Sequence, residues 1–389
     1  MKKLTSLLVM LLVSASAFAY TTNKIVIPDV KGYKTLKGDF HIHTIFSDGK
    51  VWPETRVSEA VWEGLDILSI TDHIDTRSRK WIKNGIISSE CNADTPYKLA
   101  RKDAARKGLI LISGGELSRG LPTGHTNVLF TKNNEQIVIE AEKFNKDNAK
   151  ATEAGLNEAR KQGAFIMWNH PHWYKYSPNE TVVSPTHKKL IKEGYFDAIE
   201  VYNAECGYSP EAHDWCLKYN LAIMGCSDAH DLMFNKIDYM GGGHRVVTLV
   251  FAKERNAESV REAMDEKRTA VFADDMVFGR EQELKPLFDA CIQVKNVKWS
   301  NKGVSCTLEN VSSIPVRITK APGSEKYRYT RYIIIPPFST IRFSAQPISE
   351  TGGGATLDSS VSTVEANIFV ENFHVGANKP LKTAIKFVR

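Results

Sequence analysis

The sequence predicts an α/β fold built as a seven-stranded barrel, followed by a C-terminal all-β, sandwich-like domain. Between Lys37 and Ala273, short β-rich runs alternate with helical segments, whereas after residue 280 turn residues separate the runs. Ten of the 11 histidines lie at or before His244, so the two parts also differ chemically. The 389 residues, 42% hydrophobic and 25% charged, have the composition of a globular protein and not of a disordered or collagen-like chain.

Seven β-rich runs form the predicted barrel. They are Gly38–His43, Ile67–His73, Leu109–Leu117, Thr126–Phe130, Ala164–His170, Ala198–Asn203 and Ala222–Asp228. Helical spacing of apolar residues between or after them predicts helices over Arg56–Gly64, Lys150–Gln162 and Ser259–Lys267, the last with Asn256 as its N-cap. Strands that alternate with helices indicate parallel strands joined by helical crossovers. Seven such strands fit a closed barrel better than an open sheet, although periodicity alone does not separate the two.

The last third of the chain predicts a small β-sandwich with no convincing amphipathic helix. Its strand-like runs are Cys291–Val297, Gly303–Glu309, Val316–Lys320, Arg331–Ile335, Thr340–Ala345, Val364–Val370 and Thr383–Val388. Glycine- and proline-containing turns separate them, as in a sandwich. We therefore divide the chain into a barrel domain over 20–280 and a β-sandwich-like domain over 281–389.

The first 19 residues have the pattern of a secretory signal peptide. Two lysines precede an apolar stretch, and Ala17 and Ala19 form a small-residue cleavage site. We expect a periplasmic or secreted protein with no membrane span after cleavage. Disulfides are then possible, and Cys206 with Cys216 and Cys291 with Cys306 are the pairs nearest in the chain. The formal net charge of +6 is mild, so a stable nucleic-acid complex is not expected.

Polar residues gather near the ends of the predicted strands. In a barrel the carboxyl ends of the strands share one mouth, so residues far apart in sequence converge there. His41 and His43 are two apart and share one side of their strand, and Asp228 and His230 have the same spacing. The candidate metal ligands are His41, His43, Asp48, His73, Glu116, His125, His170, Asp228 and His230.

Imidazoles and carboxylates without thiolates suit zinc, manganese or iron. Nine ligands exceed the needs of one ion, so we expect two or three divalent ions, with Glu116 as a bridging ligand. A hydroxide shared by two ions about 3.5–4 Å apart is a nucleophile at neutral pH, and it fits the hydrolysis of a phosphate ester.

These motifs, in this order, resemble the PHP (polymerase and histidinol phosphatase) superfamily of metal-dependent phosphoesterases. The resemblance covers roughly residues 36–275 and implies a distorted (β/α)7 barrel. It implies one metal on His41, His43, Glu116 and Asp228, a second on Glu116, His125 and His170, and a third on Asp48, His73 and His230. The signal peptide and the β-rich C-terminal region are more similar to exported phosphodiesterases of this type than to the cytosolic phosphatases.

Seven further residues are candidates for catalysis or substrate binding. His172 follows a ligand in Asn169-His170-Pro171-His172 and is a candidate acid for the leaving group, and Asp72 precedes His73 as a catalytic or ligand-orienting carboxylate. Guanidinium and ammonium groups bind phosphate oxygens. The candidates of this kind are Arg77, Arg79, Lys83, Arg119 and Arg245.

The sequence therefore predicts an exported, metal-dependent phosphodiesterase that acts on a small phosphate ester or diester. One alternative is a phosphomonoesterase acting on nucleotides or sugar phosphates. An alternative of another class is a protein with structural metals that binds a glycan or a partner.

Overall fold

A computed structural model describes residues 24–75, 84–85, 88–173, 183–349 and 352–389. The predicted signal peptide lies outside the described residues. Among the residues described, no helix combines the length and the apolar character needed to cross a membrane. All six cysteines are free, so neither of the expected disulfide pairs is formed.

Eight α-helices occur in the described residues: α1 (Pro53–Trp62), α2 (Thr95–Lys107), α3 (Asn134–Glu142), α4 (Asn148–Lys161), α5 (Pro185–Lys192), α6 (Pro210–Tyr219), α7 (Ala257–Asp265) and α8 (Glu281–Cys291). The predicted helices match α1, α4 and α7 within a few residues. Asn256 caps α7 as predicted, since its side chain accepts a hydrogen bond from the Ser259 amide at 2.8 Å. Helix α8 was not predicted.

Twenty strands are described. The first twelve are β1 (Lys34–Asp39), β2 (Ile67–Ser69), β3 (Ile110–Ile112), β4 (Gly114–Ser118), β5 (His125–Leu129), β6 (Phe165–Trp168), β7 (Ala198–Asn203), β8 (Gly207–Tyr208), β9 (Ala222–Cys226), β10 (Val247–Ala252), β11 (Thr269–Ala273) and β12 (Met276–Gly279). The other eight are β13 (Ile292–Ser300), β14 (Gly303–Asn310), β15 (Val316–Lys320), β16 (Tyr327–Arg328), β17 (Tyr332–Ile335), β18 (Thr340–Pro347), β19 (Thr363–His374) and β20 (Pro380–Val388).

Two sheets carry the N-terminal part of the fold. The larger has the order β17-β15-β19-β12-β11-β10-β1-β2-β3, with β20 on β19. The second has the order β4-β5-β6-β7-β8, with β9 on β7. Neighbouring strands are parallel in β1-β2-β3 and in β6-β7-β9, but β10, β11 and β12 form an antiparallel run on β1. The predicted all-parallel arrangement is therefore only partly correct.

The expected closed (β/α)7 barrel does not form in the described residues, because no continuous ladder joins the two sheets. On one side, the β9 amides of Ile223 and Gly225 donate to the side chains of Thr269 and Thr248 instead of to backbone carbonyls. A Cβ on Gly225 would lie 2.3 Å from a Val271 methyl carbon, so glycine allows this close approach. Elsewhere in the described residues, two isolated parallel bridges, Ile42 to Ala229 and His73 to Glu116, connect the sheets.

The C-terminal part is β-rich, as predicted, but it is continuous with the N-terminal part. Strands β13, β14, β18 and β16 form a third sheet. Strand β19 instead pairs in parallel with β12, which carries the large sheet past residue 280. A single hydrophobic core contains buried side chains from both parts, such as Ile42, Phe272, Leu308 and Phe387. The boundary at 280 thus lies beside helix α8, within one packed unit.

Candidate metal centre

The two bridges between the sheets place the predicted ligands. At the first, the His43 amide donates to the Ala229 carbonyl at 3.0 Å, and the Asp228 amide donates to the His41 carbonyl at 2.8 Å. These bonds hold the segment after β1 against the segment after β9. The alternation of residues about the Ile42–Ala229 bridge then turns His41, His43 and Asp228 to the same side.

The second bridge brings His73 beside β4. The Glu116 amide donates to the Asp72 carbonyl and the Ile74 amide donates to the Glu116 carbonyl, both at 3.0 Å. Glycine at position 115 is required here, because a Cβ would lie 2.6 Å from the Ile74 side chain. Both isolated bridges between the sheets therefore carry candidate ligands.

Glu116 is the centre of the cluster and is fully buried. Its Oε1 lies 3.3 Å from His41 Nε2, 3.2 Å from His125 Nδ1 and 3.5 Å from His170 Nε2. Its Oε2 lies 2.6 Å from His73 Nδ1. One carboxylate thus faces four imidazoles, as a bridging ligand would.

Asp228 and Asp48 extend the cluster to the remaining histidines. Asp228 Oδ1 lies 3.2 Å from His41 Nε2 and 3.1 Å from His43 Nε2. Asp48 Oδ1 lies 3.2 Å from His230 Nε2 and 3.3 Å from His73 Nε2. The structure therefore brings all nine predicted ligands into one connected cluster.

Four groups in this cluster have ligand atoms within 4.8 Å of one another. They are His43 with Asp48, His73 and His230; His41 with His43 and Glu116; His41 with His170 and Asp228; and His73 with Glu116 and His125. The grouping differs from the set implied by the resemblance, because His43 joins the Asp48 group and His170 joins His41 and Asp228. The overlap arises because His41, His43, His73 and Glu116 each lie between two groups.

Several buried ligand atoms of the cluster have no hydrogen-bond partner, as expected of a site that binds divalent cations. His41 Nε2, His43 Nε2 and Asp228 Oδ1 are buried and converge, yet none of the three has a hydrogen-bond partner of acceptable geometry. Buried polar atoms without partners are costly unless something else, such as a cation, binds them. The donors are imidazole nitrogens and carboxylate oxygens, which suit first-row divalent metals.

The carboxylates of the cluster are ionised, as metal ligands are. Burial alone would raise the pKa of Glu116, but the His125, His73 and His41 imidazoles hold it well below its usual value. Burial likewise opposes ionisation of Asp228, and His41 and His43 outweigh it, so the pKa of Asp228 is also well below normal. Burial and the neighbouring His73 lower the pKa of His43. Burial would lower the pKa of His41 and His73 as well, but the neighbouring carboxylates raise both above their usual value, so these two imidazoles must release a proton before they bind a cation.

Hydrogen bonds from a second layer orient the ligands. Glu200 Oε1 lies 3.2 Å from His41 Nδ1, and its Oε2 accepts from the His170 amide at 2.7 Å. Asn203 donates to Glu200 at 3.0 Å and to Asp228 at 3.2 Å. The side-chain Nδ2 of Asn169 donates to Glu116 Oε1 at 2.7 Å. Such contacts fix the tautomer and the direction of ligating side chains.

Two of these ligands have unusual backbone conformations. His170 has φ of 27° and Asp228 has φ of 51°, in the region that favours glycine. Residues of this kind persist only where the surroundings enforce them, and they cluster at functional sites. Hydrogen bonds from the His170 amide to the Glu200 carboxylate and from the Asp228 amide to the His41 carbonyl hold the two residues in these conformations.

The two predicted catalytic residues, Asp72 and His172, have different environments. Asp72 is buried and accepts from the Thr44 amide at 2.7 Å, from the Thr44 hydroxyl at 2.6 Å and from the Ser47 hydroxyl at 2.6 Å. Ser47 in turn lies 3.1 Å from His43 Nδ1. Asp72 therefore orients a ligand and offers no free oxygen for proton transfer. His172 is half-buried, two residues beyond His170, and remains a prediction.

Two of the five predicted phosphate-binding residues, Arg119 and Arg245, are buried in ion pairs away from the metal cluster. Arg245 is fully buried and pairs with Asp39 at 3.1 Å and with Glu63 at 2.6 Å, which leaves it no access to a substrate. Arg119 is 6% exposed and pairs with Asp75 at 2.5 Å. Both predictions are corrected by these buried ion pairs. Arg77, Arg79 and Lys83 lie outside the described residues.

Lys236 was missed from the sequence. It lines a pocket of about 280 Å³ together with Asp48, His73, Glu116, His125, His170, Trp173, Glu205, Asp228 and His230. It is the one lysine or arginine among the described residues of this lining, and it pairs with Glu205 at 3.1 Å. The sequence held no signal for it, because Lys236 follows a single 3-10 turn, Met233–Asn235, six residues after the last ligand.

The fold is similar to that of a solved structure. A two-domain protein from Bacteroides vulgatus ATCC 8482, described as containing a predicted PHP-like metal-dependent phosphoesterase, is 34% identical to this chain with a TM-score of 0.83. The match covers 95% of this chain and 100% of that chain. A candidate metal-dependent phosphoesterase from Bifidobacterium adolescentis ATCC 15703 is 18% identical, covering 51% of this chain and 89% of that one, with a TM-score of 0.37. No protein-family model and no curated protein matches the sequence.

Proposed function

The chain belongs to the PHP-like family of metal-dependent phosphoesterases, and on that premise we propose that it is an exported phosphodiesterase. The observation that carries the proposal is the cluster of six histidines and three carboxylates, seven of which line an open pocket of about 280 Å³, with His41 and His43 buried behind them. A catalytic metal site keeps positions open for water and substrate, whereas a structural site is closed by protein ligands.

The residues of the cluster would hold two or three divalent ions, which we propose to be zinc, manganese or iron. When bound, these ions activate water for attack on phosphorus and neutralise the oxygens of the phosphate. Glu116 would bridge ions through its two oxygens, since each oxygen faces a different set of imidazoles. Glu200 and Asn169 hold these ligands in place through the reaction.

Lys236 is the residue we assign to the phosphate itself. Its ammonium group lies at the pocket lining, where it can donate to a phosphoryl oxygen while Glu205 holds it. Arg77, Arg79 and Lys83 remain proposed as further phosphate contacts. His172 is proposed to protonate the leaving alcohol, on the strength of its position just after His170.

A diester is preferred over a monoester because the signal sequence and the β-rich C-terminal part resemble exported phosphodiesterases of this type. We propose a periplasmic or secreted location for the same reason. Detection of the protein without residues 1–19 in a periplasmic or culture fraction would support export, whereas an uncleaved cytosolic protein would exclude it.

The function is tested by assaying the purified, metal-replete protein on bis-p-nitrophenyl phosphate and on p-nitrophenyl phosphate. We expect turnover of the diester, and loss of that turnover in folded Glu116→Ala and His43→Ala variants. Glu258→Ala, at an exposed site on helix α7, is the control. Turnover of the monoester alone would show a phosphomonoesterase, and turnover of neither would favour a protein with structural metals.

A further inference from the structure

A second cavity lies directly beside the metal pocket. Its volume is about 390 Å³, and the two cavities share Glu205 and Lys236 as lining residues. The segment from Ser227 to His230 forms part of the partition. Asp228 and His230 line the metal pocket, whereas the alternate residues Ser227 and Ala229 line the second cavity. The two cavities therefore adjoin along this segment and at Lys236.

The lining of the second cavity is acidic. Glu205, Asp238 and Asp274 contribute carboxylates, against the single ammonium of Lys236. Asp238 is fixed by the Gly241 amide, which donates to its Oδ1 at 2.9 Å. A Cβ on Gly241 would lie 2.3 Å from Asp238 Oδ2, so glycine at this position lets the chain close over the carboxylate.

Asp274, another carboxylate of this lining, is held in place by its neighbours. The hydroxyl of Tyr202, a largely buried side chain, donates to Asp274. The neighbouring Asp275 amide donates to His244 Nε2 at 3.3 Å, and the His244 ring stacks on Phe272 at 3.9 Å between centroids. Carboxylates that line a cavity accept hydrogen bonds from hydroxyl or ammonium groups and repel a second phosphate.

We infer that this cavity receives the alcohol part of the phosphate ester, and that it selects alcohols bearing hydroxyl or ammonium groups over alcohols bearing another phosphate. The inference rests on the proposed function for the position of the phosphorus atom at the metals. It assigns substrate selection to Asp238 and Asp274, which are not part of the metal cluster.

The test compares equilibrium binding of glucose 1-phosphate and glucose 1,6-bisphosphate to the metal-replete protein by calorimetry. These ligands differ by one phosphate, and their binding can be measured whether or not the protein hydrolyses them. We expect the monophosphate to bind more tightly. Asp238→Asn and Asp274→Asn should each reduce that preference by about threefold or more, because each removes one charge near the second phosphate.

The matched control is Glu258→Gln, which removes the same charge from an exposed site on helix α7 and should leave the preference unchanged. Equal or tighter binding of the bisphosphate to the unmodified protein would overturn the inference, as would a preference that neither aspartate variant alters. If the proposed function is wrong, the protein will bind the monophosphate but will turn over no phosphate ester. That outcome is distinct from the two outcomes above.

Discussion

At the scale of single residues, the centre depends on carboxylates that each face several imidazoles. Glu116 contacts His41, His73, His125 and His170, so a change at this one position disturbs more than one of the ligand groups. The nine candidate ligands, which the structure brings together, could be found from sequence because they occur in short motifs next to strand ends. Their grouping could not, because it depends on how two sheets approach each other.

The phosphate-binding cations were predicted less well, for a physical reason. A basic residue near a ligand in sequence can either bind substrate or pair with a buried carboxylate, and spacing does not separate the two. Arg245 pairs with Asp39 and Glu63, whereas Lys236, which no motif marks, lines the pocket.

Lys236 provides a direct test of that reassignment. Lys236→Met should lower kcat/KM for a phosphate ester by about 10- to 100-fold, the usual loss when a hydrogen bond to a charged group is removed. Lys236→Arg keeps the charge and should retain most of the activity. Steady-state kinetics measure both, and a methionine variant with unchanged kcat/KM would remove Lys236 from substrate binding.

Arg245 should behave as a structural residue. Arg245→Met leaves Asp39 and Glu63 buried without their cation, which should lower the free energy of unfolding by about 3–5 kcal/mol. Denaturant unfolding measures this loss. Arg255→Met, which breaks an exposed pair with Asp66, is the control and should cost less than about 1 kcal/mol. Equal small losses in the two variants would contradict the assignment.

At the scale of elements, prediction succeeded where sequence patterns are local. Strands β7 and β15 have the predicted bounds, and helix α7 has the predicted cap. Strands β10 and β11 were missed because all their residues are buried, and a short apolar run without alternation does not distinguish a strand from a buried helix. Strand β10 pairs antiparallel with β1 and β11 pairs antiparallel with β10, in place of the parallel neighbours expected of a barrel.

Helix α8 offers a test at the scale of elements, through the buried Glu283. This side chain is 8% exposed, and burial raises the pKa of its carboxyl to about 7, with Gln282 and Arg280 opposing the shift only in part. Because the folded state holds the proton more tightly than the unfolded state, Glu283 lowers stability progressively as the pH rises from about 4.5 to about 7.

Glu283→Gln should therefore stabilise the protein above pH 7, by up to about 3 kcal/mol, and should have little effect at pH 4. Unfolding curves of both proteins at several pH values give the difference. Glu281→Gln, at an exposed position of the same helix, should show no such dependence. A constant difference between the Glu283 variant and the unmodified protein across this range would contradict the prediction.

At the scale of the whole molecule, the C-terminal β part supports the wall of the second cavity. The buried Asn372, in β19, donates to the Asp275 carbonyl at 2.7 Å, next to Asp274. Strand β19 also pairs with β12, just beyond that turn. The change of sequence pattern near residue 280 was visible, but long-range pairing between β12 and β19 leaves no local signal, so the continuity of the core could not be predicted.

The central claim is that one cluster of nine residues holds divalent ions that hydrolyse a phosphate ester. It is tested most directly by titrating zinc, manganese or iron into chelator-stripped protein while measuring hydrolysis of bis-p-nitrophenyl phosphate. We predict negligible turnover without metal, and a rise that saturates at two or three ions per chain by elemental analysis. Turnover that is independent of added metal, or saturated metal binding without turnover of diester or monoester, would contradict the claim.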